Sequence, residues 1–264
     1  MKVEVLASVM NQGPEKIAEQ MRLDSDAVII NQCDRLGFEE KAYRGHTLRF
    51  FSFPDRGVGR SRNEAILRSG GDICLFSDQD IIYEPGYAEA VSQEFLKNSD
   101  ADMILFNVTV EEGRRTYHIT DRKRVRWYNC GRYGAVSFAV RRESLLSSGV
   151  TFSLLFGGGA RYSNGEDSLF LKEFIGKGYK VYTAPVTIGR EAAGESTWFD
   201  GYNEKFFKDR GVLYRYLYGW LDHVMALRFL LAHRKKMCQD AGLRQCYKWM
   251  RQGMKEARGG NAPE

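Results

Sequence analysis

Two aspartates one residue apart, in Ser77-Asp78-Gln79-Asp80, follow directly on the apolar run Ile73-Cys74-Leu75-Phe76. The run reads as a buried strand, so Asp78 and Asp80 stand where that strand leaves a sheet. Carboxylates this close repel each other unless a cation lies between them. Hard divalent ions such as Mg²⁺ or Mn²⁺ prefer oxygen ligands and often hold a substrate phosphate as well. The pair therefore suits a metal that carries a phosphorylated substrate. Asp-x-Asp also occurs in ordinary turns and helix caps, so the reading depends on its surroundings.

Two further stretches bear on it. Upstream, Asp55-Arg56-Gly57-Val58-Gly59-Arg60-Ser61-Arg62-Asn63-Glu64-Ala65 puts glycines at a turn into a helix, where a ligand can approach the backbone. Arg62 on its first turn can meet phosphate bidentately. Alone, the stretch is better read as a surface loop with solvated arginines. Downstream, Asn164-Gly165-Glu166-Asp167-Ser168-Leu169-Phe170 opens another helix, and acidic residues there can be simple caps. A transferase that moves a group onto a hydroxyl needs a general base within hydrogen-bond reach, however, and a carboxylate on a rigid helix start supplies one. Trp127, Tyr128, Tyr133 and Trp198 have rings able to stack on sugar faces, although such residues are more often core. Of these, Trp198 has the loop context of a site residue.

The elements that must position these residues alternate. Strands are predicted at Val3 to Val9, Ala27 to Asn31, Leu48 to Phe53 and Ile73 to Phe76, with helices at Pro14 to Met21, Gly59 to Ser69 and Pro85 to Leu96. Short apolar runs separated by helices indicate a mostly parallel sheet covered on both faces, whose ligands bind beyond the carboxyl ends of the strands. Further strands are expected at Met103 to Val110 and Ala135 to Val140, with a polar excursion over 111–123 between them. From Gly211 to His233 apolar residues recur at helical spacing, interrupted by Arg215, Asp222 and Arg228, which argues against a transmembrane span. With 264 residues there is ample core for one large or two small domains, and a net charge of +5 is too mild to imply nucleic acid. Five scattered cysteines without a CxxC pair suggest neither zinc nor disulfides, and the first residues read as a strand rather than a signal peptide, so a cytoplasmic setting is expected.

In order and spacing the set resembles the family-2 glycosyltransferases of the GT-A fold. The resemblance is carried by Gly59-Arg60-Ser61-Arg62-Asn63-Glu64-Ala65, by Leu75-Phe76-Ser77-Asp78-Gln79-Asp80 and by Gly165-Glu166-Asp167. It implies an α/β, Rossmann-like mixed sheet flanked by helices, with a catalytic domain over 1–210, a helical extension over 211–258 and a disordered tail over 259–264. It also implies roles. Ser8, Asn31 and Asp34 would border the nucleotide, although Asn31-Gln32-Cys33-Asp34 stands where the family usually has an aspartate at the strand end. Arg62 would face uracil or diphosphate, Asp78 the ribose or the metal, and Asp80 the metal itself. Asp167 would deprotonate the acceptor hydroxyl, with Glu166 orienting the acceptor, and the sugar would transfer with inversion. A divalent ion, Mn²⁺ or Mg²⁺, would offset charge on the leaving diphosphate. The donor expected is a UDP-sugar and the acceptor a surface glycan or lipid-linked glycan.

One departure matters. Many relatives place a histidine ligand after the last core strand, where this chain has Thr187-Ile188-Gly189-Arg190-Glu191. Glu191 can substitute as a ligand, or Arg190 can bind diphosphate directly. Weak metal binding and lost activity remain alternatives. Trp198 and Lys205 fall in what resembles a loop that folds over bound donor. The C-terminal helix has two readings: packing on the catalytic domain or a second copy, which is favoured, or lying on an anionic membrane with Arg234-Lys235-Lys236. Two other function classes fit parts of the pattern: a sugar-phosphate nucleotidyltransferase, and a degenerate module that binds glycan or nucleotide-sugar without turnover.

Overall fold

The computed structural model describes residues 1–110, 117–192 and 201–259. The chain opens with β1 (Val3–Met10), α1 (Pro14–Met21), β2 (Asp26–Gln32), β3 (Gly37–Tyr43), β4 (His46–Phe53) and α2 (Val58–Arg68). β5 (Ile73–Asp78), β6 (Ile81–Tyr83), α3 (Tyr87–Lys97) and β7 (Met103–Thr109) follow, then β8 (Phe138–Arg141), α4 (Arg142–Ser148), α5 (Glu166–Gly176) and β9 (Val181–Glu191). The described residues end with α6 (Glu204–Tyr218), α7 (Asp222–Met237) and α8 (Gly242–Arg258).

The strands form one sheet in the order β3-β4-β2-β1-β5-β8-β7-β9-β6. Its centre is parallel: β1 lies between β2 and β5, and β4 adds beyond β2. β8 and β6 run antiparallel to their neighbours, which makes the sheet mixed. Alternation along β1 sends Val3, Val5, Ala7 and Val9 into the core on one face and Leu6 into the core on the other. Helices cover both faces, as near-continuous apolar strands require.

Two local differences from the sequence expectation in this sheet have physical causes. β3 is an edge strand of sequence Gly-Phe-Glu-Glu-Lys-Ala-Tyr, mostly exposed, whose charges mask its strand character and also discourage pairing with other chains. It reaches β4 through Arg44 and Gly45, both at positive φ, as a tight hairpin turn demands. The strand expected over Ala135 to Val140 begins only at Phe138, because Ala135–Ser137 is a 3-10 turn with Ser137 N–H donating to Gly134 O at 3.0 Å. Residues 111–116 of the expected polar excursion lie outside the described residues. Its continuation is pinned by Asn107, whose amide exchanges two 2.9 Å hydrogen bonds with the backbone of Ile119.

The helical pattern after Gly211 belongs to two helices. α6 ends at Gly219, where φ 56° and ψ −120° suit a residue without Cβ, and α7 starts afresh at Asp222. The fully buried Asp222 carboxylate accepts from Arg258 at 2.9 Å and lies 3.6 Å from Arg215, which ties α7 to α8 and α6. Leu213, Leu217, Ala226, Leu230, Met250 and Met254 form a third core cluster together with Phe156 and Tyr162 of the segment before α5. Among the described residues no helix is long and apolar enough to cross a membrane.

Candidate active site

The carboxyl end of β5 and the N-terminus of α5 converge on one guanidinium carried by α2. Arg62, on α2, is 4% exposed. Its Nη2 donates to both oxygens of Asp78, at 3.1 and 3.0 Å, where β5 ends. Its Nη1 donates to Glu166 at 3.0 Å and to Asp167 at 2.9 Å, on the first turn of α5. The guanidinium carbon lies 5.2 Å from the centre of the Phe152 ring, and the buried Nε finds no partner among the described residues. Burial alone lowers an arginine's pKa, but here Asp78, Asp167 and Glu166 outweigh it and raise the pKa above its ordinary value.

Three carboxylates on one cation leave negative charge in excess. The consequence falls on Asp167, whose side chain is 23% exposed. Burial, and next the charge of Glu166, push its carboxyl from 3.8 up to about 7, against Arg62 and an N–H from Ala135. That value suits a general base near neutral pH. Glu166 also accepts from Gly165 N–H at 3.1 Å. Gly165 has φ 123°, and a Cβ there would lie 2.5 Å from the Leu213 side chain, so glycine is what lets α6 close against the start of α5.

The other sequence candidates fall as follows. Ser8 is buried at the end of β1, donating to Ser61 at 2.8 Å and accepting from Gln32 at 3.2 Å. Asn31, also buried, accepts from Gln12 N–H and donates to Ser52. Asp34 is exposed beyond β2. Asp80 occupies the turn between β5 and β6, and the pairing of β6 with β9 sets Ile81 opposite Glu191 and Ile82 opposite the exposed Arg190. Ala192 N–H donates to Asp80 O at 2.6 Å, so Asp80 and Glu191 are brought to one sheet edge. Trp198 lies outside the described residues. Lys205, on the first turn of α6, pairs with Asp209.

A hard divalent ion is tested by the donors at that edge. Asp80 and Glu191 offer oxygen atoms, and the excess negative charge around Arg62 favours a cation nearby; the donor chemistry fits Mg²⁺ or Mn²⁺. Among the described residues no three or more His, Cys, Asp or Glu side chains are already grouped for a metal.

Asp167 opens on a cavity of about 500 Å³ whose far walls come from α6 and α7. Tyr128 and Tyr133 line it, with Tyr214, Tyr218, Arg210 and Arg228. The sequence gives little sign of this wall beyond Arg228, which interrupts an apolar helical face. Gln32 was equally hidden: it bridges Ser8 and Gly57 N–H, the latter at 2.7 Å, and so fixes the turn into α2.

The family model for glycosyl transferase family 2 matches residues 3–148, a span that holds Arg62, Asp78 and Asp80 and stops short of Glu166 and Asp167. No curated protein matches the chain. Among solved structures, S. aureus TarS 1–349 in complex with UDP-GlcNAc superposes with a TM-score of 0.61 at 15% identity, covering 91% of this chain and 74% of that one. The mannosyltransferase PcManGT from Pyrobaculum calidifontis, in complex with GDP-Man and Mn²⁺, does so with a TM-score of 0.51 at 14% identity, covering 99% and 76%. Similarity at these identities establishes the shared GT-A architecture.

Because the folded protein holds the Asp167 proton more tightly than the unfolded chain, this group favours folding most at low pH. That contribution disappears as pH rises from about 4 to about 7. Asp167→Asn, which cannot ionise, is therefore expected to melt higher than the native protein at pH 8, with the gap closing toward pH 4. Thermal melts across that range check it; a gap independent of pH would contradict the raised pKa.

Proposed function

This chain belongs to glycosyl transferase family 2, and we propose that it transfers a sugar from a nucleoside diphosphate, UDP before others, to an acceptor hydroxyl with inversion. The observation that carries the reading is Asp167: a carboxyl held at 2.9 Å by a buried arginine, raised to about 7, and opening on a cavity large enough for a sugar acceptor. In a single displacement the acceptor oxygen bonds to the anomeric carbon while its proton passes to Asp167. The bond from that carbon to the diphosphate oxygen breaks, and the nucleoside diphosphate leaves with the electron pair. Attack from the face opposite the leaving group inverts the centre.

The remaining residues orient this step. Glu166 and Asp78 hold Arg62, and Arg62 holds Asp167 in place. Ser8 and Asn31 border the nucleotide at the strand ends. Asp80, with Glu191 beside it and Asp78 behind, would hold a divalent ion, which when bound offsets charge on the departing diphosphate. UDP is preferred because the better superposing neighbour is a UDP-GlcNAc complex.

Incubation with Mn²⁺ and a panel of nucleotide-sugars, following nucleoside diphosphate release, tests the proposal. Release should rise with pH toward a plateau above about 7. It should fall roughly a hundredfold or more in Asp167→Asn, the usual loss of a general base, and fall in Asp80→Ala as well. Full activity in Asp167→Asn would remove the base assignment. Pyrophosphate release from a nucleoside triphosphate and a sugar phosphate would instead make the protein a nucleotidyltransferase, and binding without turnover a degenerate module.

The proposal places the acceptor at an anionic membrane surface. α7 packs inward through Asp222, Ala226 and Leu230, and its opposite side exposes Val224, Leu227 and Leu231 in line with Trp220, which is 83% exposed. Exposed Arg234 and Lys235 flank that stripe, the arrangement of an interfacial helix. Flotation with phosphatidylglycerol vesicles should recover the protein, neutral phosphatidylcholine vesicles should not, and Leu227→Glu/Leu231→Glu should abolish recovery. No flotation, together with a dimeric mass that the same substitutions split, would assign the stripe to a second copy and overturn the membrane reading.

A further inference from the structure

We infer that the acceptor beside Asp167 carries an anionic group, a phosphate or a carboxylate, gripped by Arg210 of α6 and Arg228 of α7. The inference rests on the transferase reading and adds the chemical class of its second substrate.

The cavity is asymmetric in charge. Asp167 is the one acidic residue of its lining, whereas Arg132, Arg210 and Arg228 all line it. Other arginines of this fold that turn inward are answered, Arg141 by backbone carbonyls of Ala101 and Phe95. Arg62 has three carboxylates, and both Arg215 and Arg258 approach Asp222. Arg210 and Arg228 have neither ion pair nor hydrogen bond among the described residues. Arg210 is nevertheless held firmly: its guanidinium carbon lies 5.3 Å from the ring centres of both Phe206 and Phe229, and its Nε is buried without a partner. A guanidinium fixed by two rings keeps its planar edge of donors for a ligand, and that edge matches phosphate or carboxylate.

The neighbouring groups register the same field. Burial raises the hydroxyls of Tyr214 and Tyr218, and Arg210 and Arg228 act against that rise in both. Burial, then Arg210 and Lys236, hold His233 below its ordinary value, so the imidazole adds little positive charge of its own. An anion at this end would answer two uncompensated cations, while Tyr214 and Tyr218 present rings to the sugar. A neutral glycan would leave both arginines unanswered.

Three small probes separate the cases, each titrated by calorimetry into UDP-saturated protein: methyl β-glucuronide, glucose 6-phosphate and methyl β-glucoside. The anionic probes should bind at least about tenfold tighter than the neutral one, the scale of one charge-assisted hydrogen bond, and lose that advantage as salt rises. The tighter of the two identifies carboxylate or phosphate as the group recognised. Arg210→Gln and Arg228→Gln should each remove the advantage while UDP affinity is unchanged. Arg228 is exposed, so its variant keeps the fold even if Arg210→Gln loosens the aromatic stack. Equal binding of methyl β-glucoside, an advantage that survives both substitutions, or a parallel loss of UDP affinity (which would assign the cations to the donor diphosphate) would overturn the inference. Absence of donor turnover alongside intact anion binding would count against the transfer reaction and not against the anion site.

Discussion

A single buried guanidinium answers three carboxylates from two different elements, and the site is organised by that imbalance. Asp78 ends a central strand, and Glu166 and Asp167 start a helix contributed from about a hundred residues further along the chain. Without Arg62 their charges would drive these elements apart; with it, they are drawn to within hydrogen-bond distance of one atom group. Burial first, and then the repulsion left when one cation meets three anions, raise the pKa of Asp167. The contact that assembles the site thus also bears on the proton affinity of Asp167, the base we propose. A carboxyl raised in this way works against stability at neutral pH, a relation common at active sites.

The rest of the fold supports that contact from two sides. The parallel strands β2, β1 and β5 deliver Asn31, Ser8 and Asp78 to one edge, and the antiparallel return of β9 against β6 brings Glu191 to the same edge beside Asp80. On the other side, α6 closes over Gly165 and, with α7, builds the wall of the cavity onto which Asp167 opens. The sheet edge and the helical wall differ in charge: carboxylates dominate the first and unpaired arginines the second. A donor diphosphate neutralised at one and an anionic acceptor held at the other would meet at Asp167.

Residues whose role depends on a local signal were legible in the sequence. An apolar run ending in Asp78-Gln79-Asp80, a glycine-led helix carrying Arg62 and the Glu166-Asp167 helix start all sit where their patterns put them, because strand ends and helix starts are written in a few adjacent residues. What depends on tertiary closure was not. No local pattern shows that Arg62 turns inward to three carboxylates, since its partners are up to 105 positions away. β3 was hidden by its edge charges, and the break at Gly219 by apolar spacing that resumes on either side of it. Arg228 registered only as an interruption of a helical face and Arg210 not at all; their meaning needs two helices and a cavity between them.

The most direct test is a titration of the Asp167 side-chain carboxyl itself, by carbon NMR of protein labelled at aspartate, with Asp167→Asn to assign the signal. A midpoint near 7, falling toward the ordinary carboxylate range when Glu166→Gln removes the neighbouring charge, is expected. A midpoint near 4 in the native protein, unmoved by Glu166→Gln, would contradict the claim that three carboxylates competing for one arginine prepare the base.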